Sequence, residues 1–282
     1  MRKALTLSIV IPVYNEQDHL KACLESIAIQ TIPPDEVLVI DNNSTDKSAQ
    51  IAKKFSFVRL INEKQQGVDY ARDKGFNTAK SDIIGRIDSD TRLEPEWVET
   101  VLQIFHDEPA TSAITGPISY YDMPLIRIGK KIDNSARTIV KAVQSTDFLF
   151  GSNMAIRKKA WLDIRDRVCH LPNIHEDLDL AIHLDKAGHK IEYKVQMLAA
   201  ASSRRLDDNP KNYRKYLKMN IETYRAHGIE TVTPRMATSI GWLAYVTLKP
   251  LKYTYDDKKR RLSLSHTLNK RKPRVNPNNR DH

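Results

Sequence analysis

The chain has 282 residues, of which 40% are hydrophobic and 28% are charged. A single core stops growing near about 250–300 residues, so this length predicts one large domain with an appendage, and the composition excludes a disordered or fibrous chain. The net charge of +10 is concentrated in residues 249–282, where eleven lysines and arginines accompany three aspartates. Such a basic segment either binds an anionic partner or is a solvated end, and the sequence leaves both interpretations open.

The two cysteines and the apolar segments indicate a protein of a reducing compartment. Cys23 and Cys169 are far apart and do not form the framework of a secreted disulfide protein. Residues 4–13 follow two basic residues as in a signal peptide, but no small-residue cleavage site follows, and we interpret them as a buried strand. No run of about 18 apolar residues occurs, and the longest stretch, 240–248, is too short to span a membrane. We therefore expect a cytoplasmic protein, either free or bound to the inner face of the membrane.

Short β-rich runs alternate with amphipathic helical patterns, which predicts an α/β fold with a mostly parallel sheet flanked by helices. In chain order the predicted elements are a strand at 5–13, a helix capped by Asn15 and ended by Pro33-Pro34, a strand at 36–40, a helix at 46–55, a strand at 57–61, a helix at 68–79, a strand at 83–87, a helix at 94–106, a strand at 148–156, a helix at 176–186, a strand at 190–195 and a helix at 210–227. We expect a catalytic domain at 1–203, a helical basic extension at 204–268 and a disordered tail at 269–282.

Polar loops follow three of the predicted strands. Tyr14-Asn15-Glu16 follows the first strand, residues 41–46 follow the second, and Asp88-Ser89-Asp90 follows the fourth. These loops converge on one edge, because ligands of open α/β sheets bind outside the carboxyl ends of the strands. Two carboxylates one residue apart can share a nucleotide diphosphate, one bonding to a ribose hydroxyl and the other to a hard cation. An isolated Asp-x-Asp is more typical of a simple turn, so the surrounding motifs decide.

The order and spacing of these motifs resemble glycosyltransferase family 2, a group of enzymes with the GT-A fold. The matching segments are 8–16, 41–46 and 88–90, then 67–75 with Asp73 in place of the usual asparagine, and finally 151–154 and 175–180. The resemblance covers roughly residues 5–200. It implies a Rossmann-like GT-A domain that transfers a sugar from a nucleotide-diphosphate sugar to a hydroxyl group with inversion, using Mn²⁺ or Mg²⁺.

The resemblance also implies a role for each matching residue. Pro12, Tyr14 and Glu16 are expected to line the nucleotide pocket, Asp41 to accept a hydrogen bond from the base, and Arg72 to lie near the base or diphosphate. Asp88 and Ser89 are expected to contact the donor, and Asp90 to bind the metal. Asp177 is expected to be the general base, and Glu176 to orient it or bind the acceptor.

Two features depart from metal-site patterns. Many family members place a histidine beyond the last core strand as a further metal ligand, but residues 201–205 contain none. Arg204 and Arg205 are candidates to hold diphosphate charge there, or they are exposed arginines without a ligand. His175 suggests a zinc motif, yet Asp179 stands four residues later where a second histidine is needed.

Family members that make long polymers carry several membrane spans and a Gln-x-x-Arg-Trp motif, and this sequence has neither. Transfer of a single sugar is therefore predicted, with a uridine nucleotide favoured and a glycan or lipid-linked acceptor, in the synthesis of a cell-envelope glycan, polysaccharide or glycolipid. Segments 120–143 and 210–227 are expected to bind the acceptor. We also expect the apolar segment at 240–248, with Trp242 and Tyr245 and the flanking basic residues, to lie on an anionic membrane; the alternative is that it packs against the core.

Two other functions are weighed against this one. A sugar nucleotidyltransferase needs a glycine-rich basic loop after the first strand, but residues 12–16 contain neither glycine nor lysine. A nucleic-acid-binding protein would use the basic tail with Tyr213, Tyr216 and Tyr224, yet this function does not explain the acidic loops, which repel phosphate backbones.

Overall fold

The computed structural model describes residues 4–123, 148–256 and 261–262. In the first part of the chain the elements are β1 (Leu7–Val13), α1 (Leu20–Ala28), β2 (Glu36–Asp41), α2 (Ser48–Ala52), β3 (Val58–Asn62), α3 (Val68–Thr78), β4 (Ile83–Arg86), β5 (Arg92–Leu93), α4 (Trp97–Asp107), β6 (Thr111–Thr115) and β7 (Ile118–Tyr120). After residue 148 come β8 (Met154–Arg157), α5 (Lys158–Ile164), α6 (Glu176–Lys186), β9 (Lys190–Tyr193), β10 (Ala199–Ala201), a 3₁₀ turn (Arg204–Asp207), α7 (Pro210–Ala226), α8 (Thr233–Tyr253), β11 (Tyr255–Asp256) and β12 (Arg261–Leu262).

Seven strands form the main sheet in the order β3-β2-β1-β4-β8-β6-β9. Strands β1 to β4 are parallel to one another, as the alternating pattern predicts. Strand β8 runs antiparallel to both β4 and β6, and Met154 pairs with Arg86 at the carboxyl end of β4. The segment that precedes β8 therefore reaches the same edge as the loops that follow β1, β2 and β4. A smaller sheet of β5, β10 and β7 lies beside the main one.

Helices cover both faces of the main sheet, because its central strands are apolar on both sides. In β1, Leu7, Ile9 and Ile11 pack with α1 and α4, and Val10 belongs to the cluster on the opposite face. The largest buried side chains of the two clusters are Trp97 on the first face and Trp161 on the second. The predicted α/β architecture with a mostly parallel sheet is confirmed.

Two local expectations are corrected. Asn15 does not cap α1, which begins at Leu20; instead Asn15 adopts a left-handed φ of 55° and accepts a hydrogen bond from the Thr45 backbone at 2.8 Å. The strand predicted at 148–156 is only the short β8, because a turn at Gly151 precedes it. Gly188 and Gly228, with φ of 77° and 66°, follow α6 and α7 as predicted helix stops.

The C-terminal helices pack against α6 and against each other. Leu178, Ile182 and Tyr224 form one apolar contact, and Tyr213, Leu217 and Tyr245 form another. The predicted disordered tail and most of the predicted acceptor segment at 120–143 lie outside the described residues.

The two aromatics expected at the membrane also make contacts within the C-terminal helices. The ring of Trp242 stacks on buried Tyr245 with centroids 5.3 Å apart, and the Arg214 guanidinium lies 4.2 Å from the Trp242 centroid. Lys252 is buried and pairs with Asp207 at 2.7 Å, while the Lys249 ammonium donates to the Asp208 carbonyl. These two lysines are therefore bound within the protein and do not form an outward basic surface. Among the described residues, no helix is both long and apolar enough to cross a membrane.

Candidate active site

A pocket opens at the carboxyl edge of β1, β2 and β4, where the sequence predicts the nucleotide site. Five of the predicted residues line it: Pro12, Tyr14, Glu16, Asp88 and Ser89. Four further lining residues were not predicted, and these are Val13, Asn42, Val68 and Ala71. Apolar side chains from α3 thus face the polar loops across the pocket, which is the kind of wall that a planar base requires.

Hydrogen bonds between the first two loops hold the pocket in shape. The Asn15 amide donates to the Ser44 hydroxyl at 3.0 Å, and the Glu16 amide donates to the Ser48 hydroxyl at 2.8 Å. Ser44 in the 41–46 loop and Ser48 just after it thus bind backbone amides of the loop that follows β1, about thirty positions earlier in the chain. This bonding is one reason why the second loop is polar. Each small hydroxyl satisfies a backbone donor of the neighbouring loop.

Asp41 and Asn42 differ in how their side chains are satisfied. The Asn42 carbonyl oxygen accepts a hydrogen bond from the Gly67 amide at 2.8 Å, which fixes the start of α3. Asp41 is buried, and its Oδ1 atom has no hydrogen-bond partner within the protein. An unsatisfied buried carboxylate oxygen is costly. Asp41 precedes Asn42, which lines the pocket, but it is not itself one of the lining residues.

Arg86 links the Asp-x-Asp loop to the start of α6. Its Nη2 atom lies 3.0 Å from Asp88 Oδ1 and 2.8 Å from Glu176 Oε1, and its side chain is only 3% exposed. Gly151 leaves the space for this guanidinium, because a Cβ atom there would lie 1.0 Å from Arg86 Nη1. The buried Arg86 guanidinium therefore joins the loop that contains Asp88 to the start of α6.

Asp177 lies at the first turn of α6, beside this cation. Its Oδ2 atom accepts a hydrogen bond from the Gly151 amide at 3.0 Å, and its Oδ1 atom accepts one from the Leu178 amide at 2.9 Å. Burial and the neighbouring Glu176 charge raise the pKa of Asp177 to about 7. For Glu176 burial acts in the same upward direction, but Arg86 and Arg72 outweigh it and lower the pKa. The pKa values of the two adjacent carboxyl groups are thus shifted in opposite directions. This separation allows Asp177 to exchange a proton near neutral pH.

Arg204 binds two of the predicted donor-site acids. Its Nη1 and Nη2 atoms donate to the two Glu16 carboxylate oxygens at 2.7 and 2.6 Å, and its Nε atom lies 2.7 Å from Asp90 Oδ2. Burial alone would lower the pKa of Arg204, but Asp90 and Glu16 raise it. Burial, followed by the charges of Asp90, Asp88 and Glu16, raises the pKa of the nearby Cys23 thiol. Two carboxylates therefore share one guanidinium here, and Asp88 lies on the neighbouring guanidinium of Arg86.

Arg72 is not on the pocket wall. Its side chain is fully buried, its Nε atom donates to Asp73 at 2.7 Å, and its Nη1 atom donates to the Glu176 carbonyl. These contacts favour a role in holding α3 against α6 over the expected position near the base or diphosphate. Asp73, the departure from the family's usual asparagine, supplies the charge that a buried arginine needs.

Sequence reasoning missed Arg86 altogether and left the role of Arg204 open. A charged residue inside the apolar run of β4 was the available signal for Arg86, because buried arginines are retained only with carboxylate partners. No local pattern pairs Arg204 with Glu16, since the two residues are 188 positions apart in the chain.

A mostly parallel sheet with acidic loops at its carboxyl edge defines the GT-A class of fold, and solved structures of that class superpose on this chain. The sequence model of the family described as glycosyl transferase family 2 matches residues 8–164, which is more than half of the chain. The chain belongs to this family.

The similar proteins of known sequence match only in part. Glycosyltransferase AglE of Haloferax volcanii is 37% identical over 100 residues, which are 33% of this chain and 33% of AglE. An uncharacterised glycosyltransferase of Haemophilus influenzae is 28% identical over 198 residues, which are 67% of this chain and 65% of that protein. The match with AglE thus spans a third of the relative's length.

Among solved structures, the mannosyltransferase of Pyrobaculum calidifontis in complex with GDP-mannose and Mn²⁺ superposes with a TM-score of 0.63 and 16% identity, covering 89% of this chain and 73% of that one. The glucosyl-3-phosphoglycerate synthase of Mycobacterium tuberculosis with Mn²⁺ and UDP gives 0.55 and 19%, covering 80% and 81%. At these identities the likeness establishes the fold. The mannosyltransferase was solved with a guanosine nucleotide and the synthase with a uridine nucleotide, so the fold itself does not select the base.

Proposed function

We propose that this protein transfers a single sugar from a nucleotide-diphosphate sugar to a hydroxyl acceptor with inversion, in the synthesis of a cell-envelope glycan, polysaccharide or glycolipid. The observation that carries the proposal is the bridge from Asp88 through Arg86 to Glu176, which joins the donor loop to the helix that bears Asp177. A transferase needs the donor and the base that activates the acceptor within one site. The nucleotide would occupy the pocket lined by Pro12 and Tyr14, with Asp41 as a hydrogen-bond acceptor for the base.

Asp177 is the general base in this proposal. Inversion requires one base that removes the acceptor proton while the hydroxyl oxygen attacks the sugar carbon, and the diphosphate leaves from the opposite side. The Gly151 and Leu178 amides hold both Asp177 oxygens in place. Glu176, paired with Arg86, would keep its charge and orient the acceptor. A uridine nucleotide is favoured by the family resemblance alone.

The donor site offers a carboxylate for a divalent cation. Carboxylate oxygens are the ligands that Mn²⁺ and Mg²⁺ prefer, and Asp90 is brought beside Glu16 by their shared contact with Arg204. Asp90 would bind the cation, which when bound would stabilise the negative charge of the leaving diphosphate. The Arg204 Nε atom lies 2.7 Å from Asp90 and neutralises its charge. With a cation on Asp90, Nε would be available to donate to a diphosphate oxygen, while Nη1 and Nη2 keep their bonds to Glu16.

The test of the base uses Asp177→Asn, with Asp185→Asn on the exposed side of the same helix as the control. A thermal-shift screen of nucleotide-diphosphate sugars with Mn²⁺ first identifies the donor, because a ligand stabilises the state that it binds. Release of nucleoside diphosphate is then measured with alkyl glycosides as acceptors. We expect Asp177→Asn to bind the donor normally and to lose turnover by on the order of a hundredfold, while Asp185→Asn keeps it. Near-normal turnover in Asp177→Asn would place the base elsewhere.

We also propose that α8 rests on an anionic membrane surface, where a lipid-linked acceptor would present its hydroxyl group. Large apolar side chains at helical spacing are exposed on this helix: Met236, Ile240, Leu243 and Val246. The residues that follow this helix, 258–282, are strongly basic, and apolar insertion together with basic charge is what such binding requires.

Flotation with vesicles of phosphatidylserine and phosphatidylcholine tests this location. The wild-type protein should float, and Leu243→Glu should remain at the bottom of the gradient. Leu162→Glu is the matched control, since Leu162 is an exposed leucine of α5. A wild-type protein that fails to float at low salt contradicts the membrane role without touching the proposed chemistry.

A further inference from the structure

Four side chains with metal-binding chemistry meet behind the N-terminal half of α6. Asp179 and His183 are one helical turn apart on α6, Cys169 comes from the loop that precedes it, and His227 ends α7. One ligand atom from each residue lies within 4.8 Å of all the others. None of the four lines the nucleotide pocket.

Two of the distances among these atoms are close to the edges of a zinc tetrahedron. Zinc bonds of about 2.3 Å to sulfur and about 2.0–2.1 Å to nitrogen or oxygen place neighbouring ligand atoms about 3.3–3.6 Å apart. Here Cys169 Sγ lies 3.7 Å from His183 Nε2, and His183 Nε2 lies 3.5 Å from Asp179 Oδ1. The distance from His227 Nε2 to Asp179 Oδ1 is 2.8 Å, which is a hydrogen-bond distance and is shorter than a tetrahedral edge. The His227 ring would have to move back by about half an ångström to admit the ion.

The surroundings hold the ligands in place. The Asp179 side chain is fully buried, and its Oδ2 atom accepts a hydrogen bond from the Cys169 amide at 3.0 Å, which leaves Oδ1 facing the two imidazoles. The rings of His183 and His227 meet edge to face with centroids 4.8 Å apart. Lys186 lies 3.5 Å from His227 Nδ1, but it also donates to the His227 carbonyl and is exposed, so it can turn away from the ring. Oriented ligands of this kind are typical of metal sites.

We propose that Cys169, Asp179, His183 and His227 bind one Zn²⁺ as a structural site. A thiolate, two imidazoles and a carboxylate form a set that zinc prefers and that magnesium and calcium do not. Four protein ligands leave no open position, so the site is structural and takes no part in the transfer reaction. On binding, the Cys169 thiol loses its proton to solvent and its sulfur bonds to zinc as the thiolate.

This site has a consequence for the shape of the active site. It ties the loop before α6, the helix itself and the end of α7 together, and Asp177 lies only half a turn from Asp179 on that helix. The alternative is a metal-free network in which Asp179 accepts hydrogen bonds from both histidines. The two arrangements differ in whether Cys169 carries a metal-bound thiolate, and that difference can be measured.

The experiment uses the full chain without a polyhistidine tag, produced in medium supplemented with zinc. Metal content is measured by mass spectrometry after gel filtration, and we expect about one zinc per chain. The protein is then stripped and titrated with Co²⁺, whose thiolate charge-transfer absorption reports a sulfur ligand. Cys169→Ser and His183→Gln should lose the tight metal, and Cys169→Ser should also lose the absorption. Cys23→Ser should keep both, since Cys23 lies away from the cluster.

The wild-type protein alone decides the question if a variant fails to fold. Less than about a tenth of a zinc per chain, together with no thiolate absorption on adding Co²⁺, would overturn the proposal in favour of the metal-free network. An absorption that survives in Cys169→Ser would also overturn it. Removal of zinc by a chelator should lower the melting temperature by at least about 5 °C, and Zn²⁺ should restore it.

Discussion

Replacing Arg204 with alanine leaves Glu16 and Asp90 without the cation that they share. The side chains of these acids are only 7% and 10% exposed, so water can replace the lost contacts only in part. Removing one partner from a buried ion pair costs about 3–5 kcal/mol, because the remaining charge stays uncompensated. For a domain of this size each kcal/mol shifts the melting temperature by about 2–4 °C, which predicts a fall of roughly 6–20 °C.

The response to Mn²⁺ tests whether this loss of stability arises at the proposed metal site. If Asp90 binds the ion as proposed, the ion competes with the Arg204 guanidinium in the wild-type protein, whereas Arg204→Ala leaves the Asp90 carboxylate without that competitor. Scanning calorimetry with and without Mn²⁺ should therefore show a larger stabilisation of the variant than of the wild type.

Arg205→Ala is the matched control for this experiment. Arg205 pairs with Asp208 at 3.2 Å and covers the Tyr216 ring, outside the group of donor-site acids. We expect this substitution to cause a smaller loss of stability and no change in the Mn²⁺ response. If Arg204→Ala and Arg205→Ala behaved alike in both measurements, the assignment of Arg204 as the counter-charge of the donor site would be refuted.

Three further predictions address the metal, the buried cation and the buried histidine. Asp90→Ala should abolish the Mn²⁺-dependent part of donor binding in titration calorimetry, and unchanged affinity would reject Asp90 as the ligand. Gly151→Ala should displace Arg86, lower the free energy of unfolding by about 1–3 kcal/mol and impair turnover; a variant with wild-type stability would contradict the close contact. Burial lowers the pKa of His175 to about 4, so stability is fully present above the ordinary value of about 6.5 and is lost as the pH falls towards 4. Urea unfolding should show a loss of about 2 kcal/mol near pH 5 that His175→Gln lacks, and equal pH dependence in both proteins would count against this cause.

The half of the sheet built from β1 to β4 was predictable because its signals are local. The β1 strand is buried along its whole length, and helices with apolar spacing follow it, so periodicity alone identifies them. The acidic loops were predictable for the same reason, since they lie at strand ends. What the sequence could not reveal are pairs formed across the fold, such as Glu16 with Arg204 or Cys169 with His227. Asp179 illustrates this limit. It stands four residues after His175, where a zinc motif needs a second histidine, but in the fold it pairs with His183, one helical turn further along α6.

The reversed direction of β8 determines where this protein tolerates change. The residues that follow β1, β2 and β4 reach the edge of the sheet where the pocket lies. Because β8 runs in the opposite direction, the residues before β8 reach that edge, and the Arg157–Lys158 junction lies at the opposite edge. A designer who wants to graft a new acceptor loop would therefore work upstream of Met154, beside Arg86. The opposite edge is a poor site for insertion, because the helix after β8 begins at once and Arg157 donates to the Thr111 and Phe105 carbonyls.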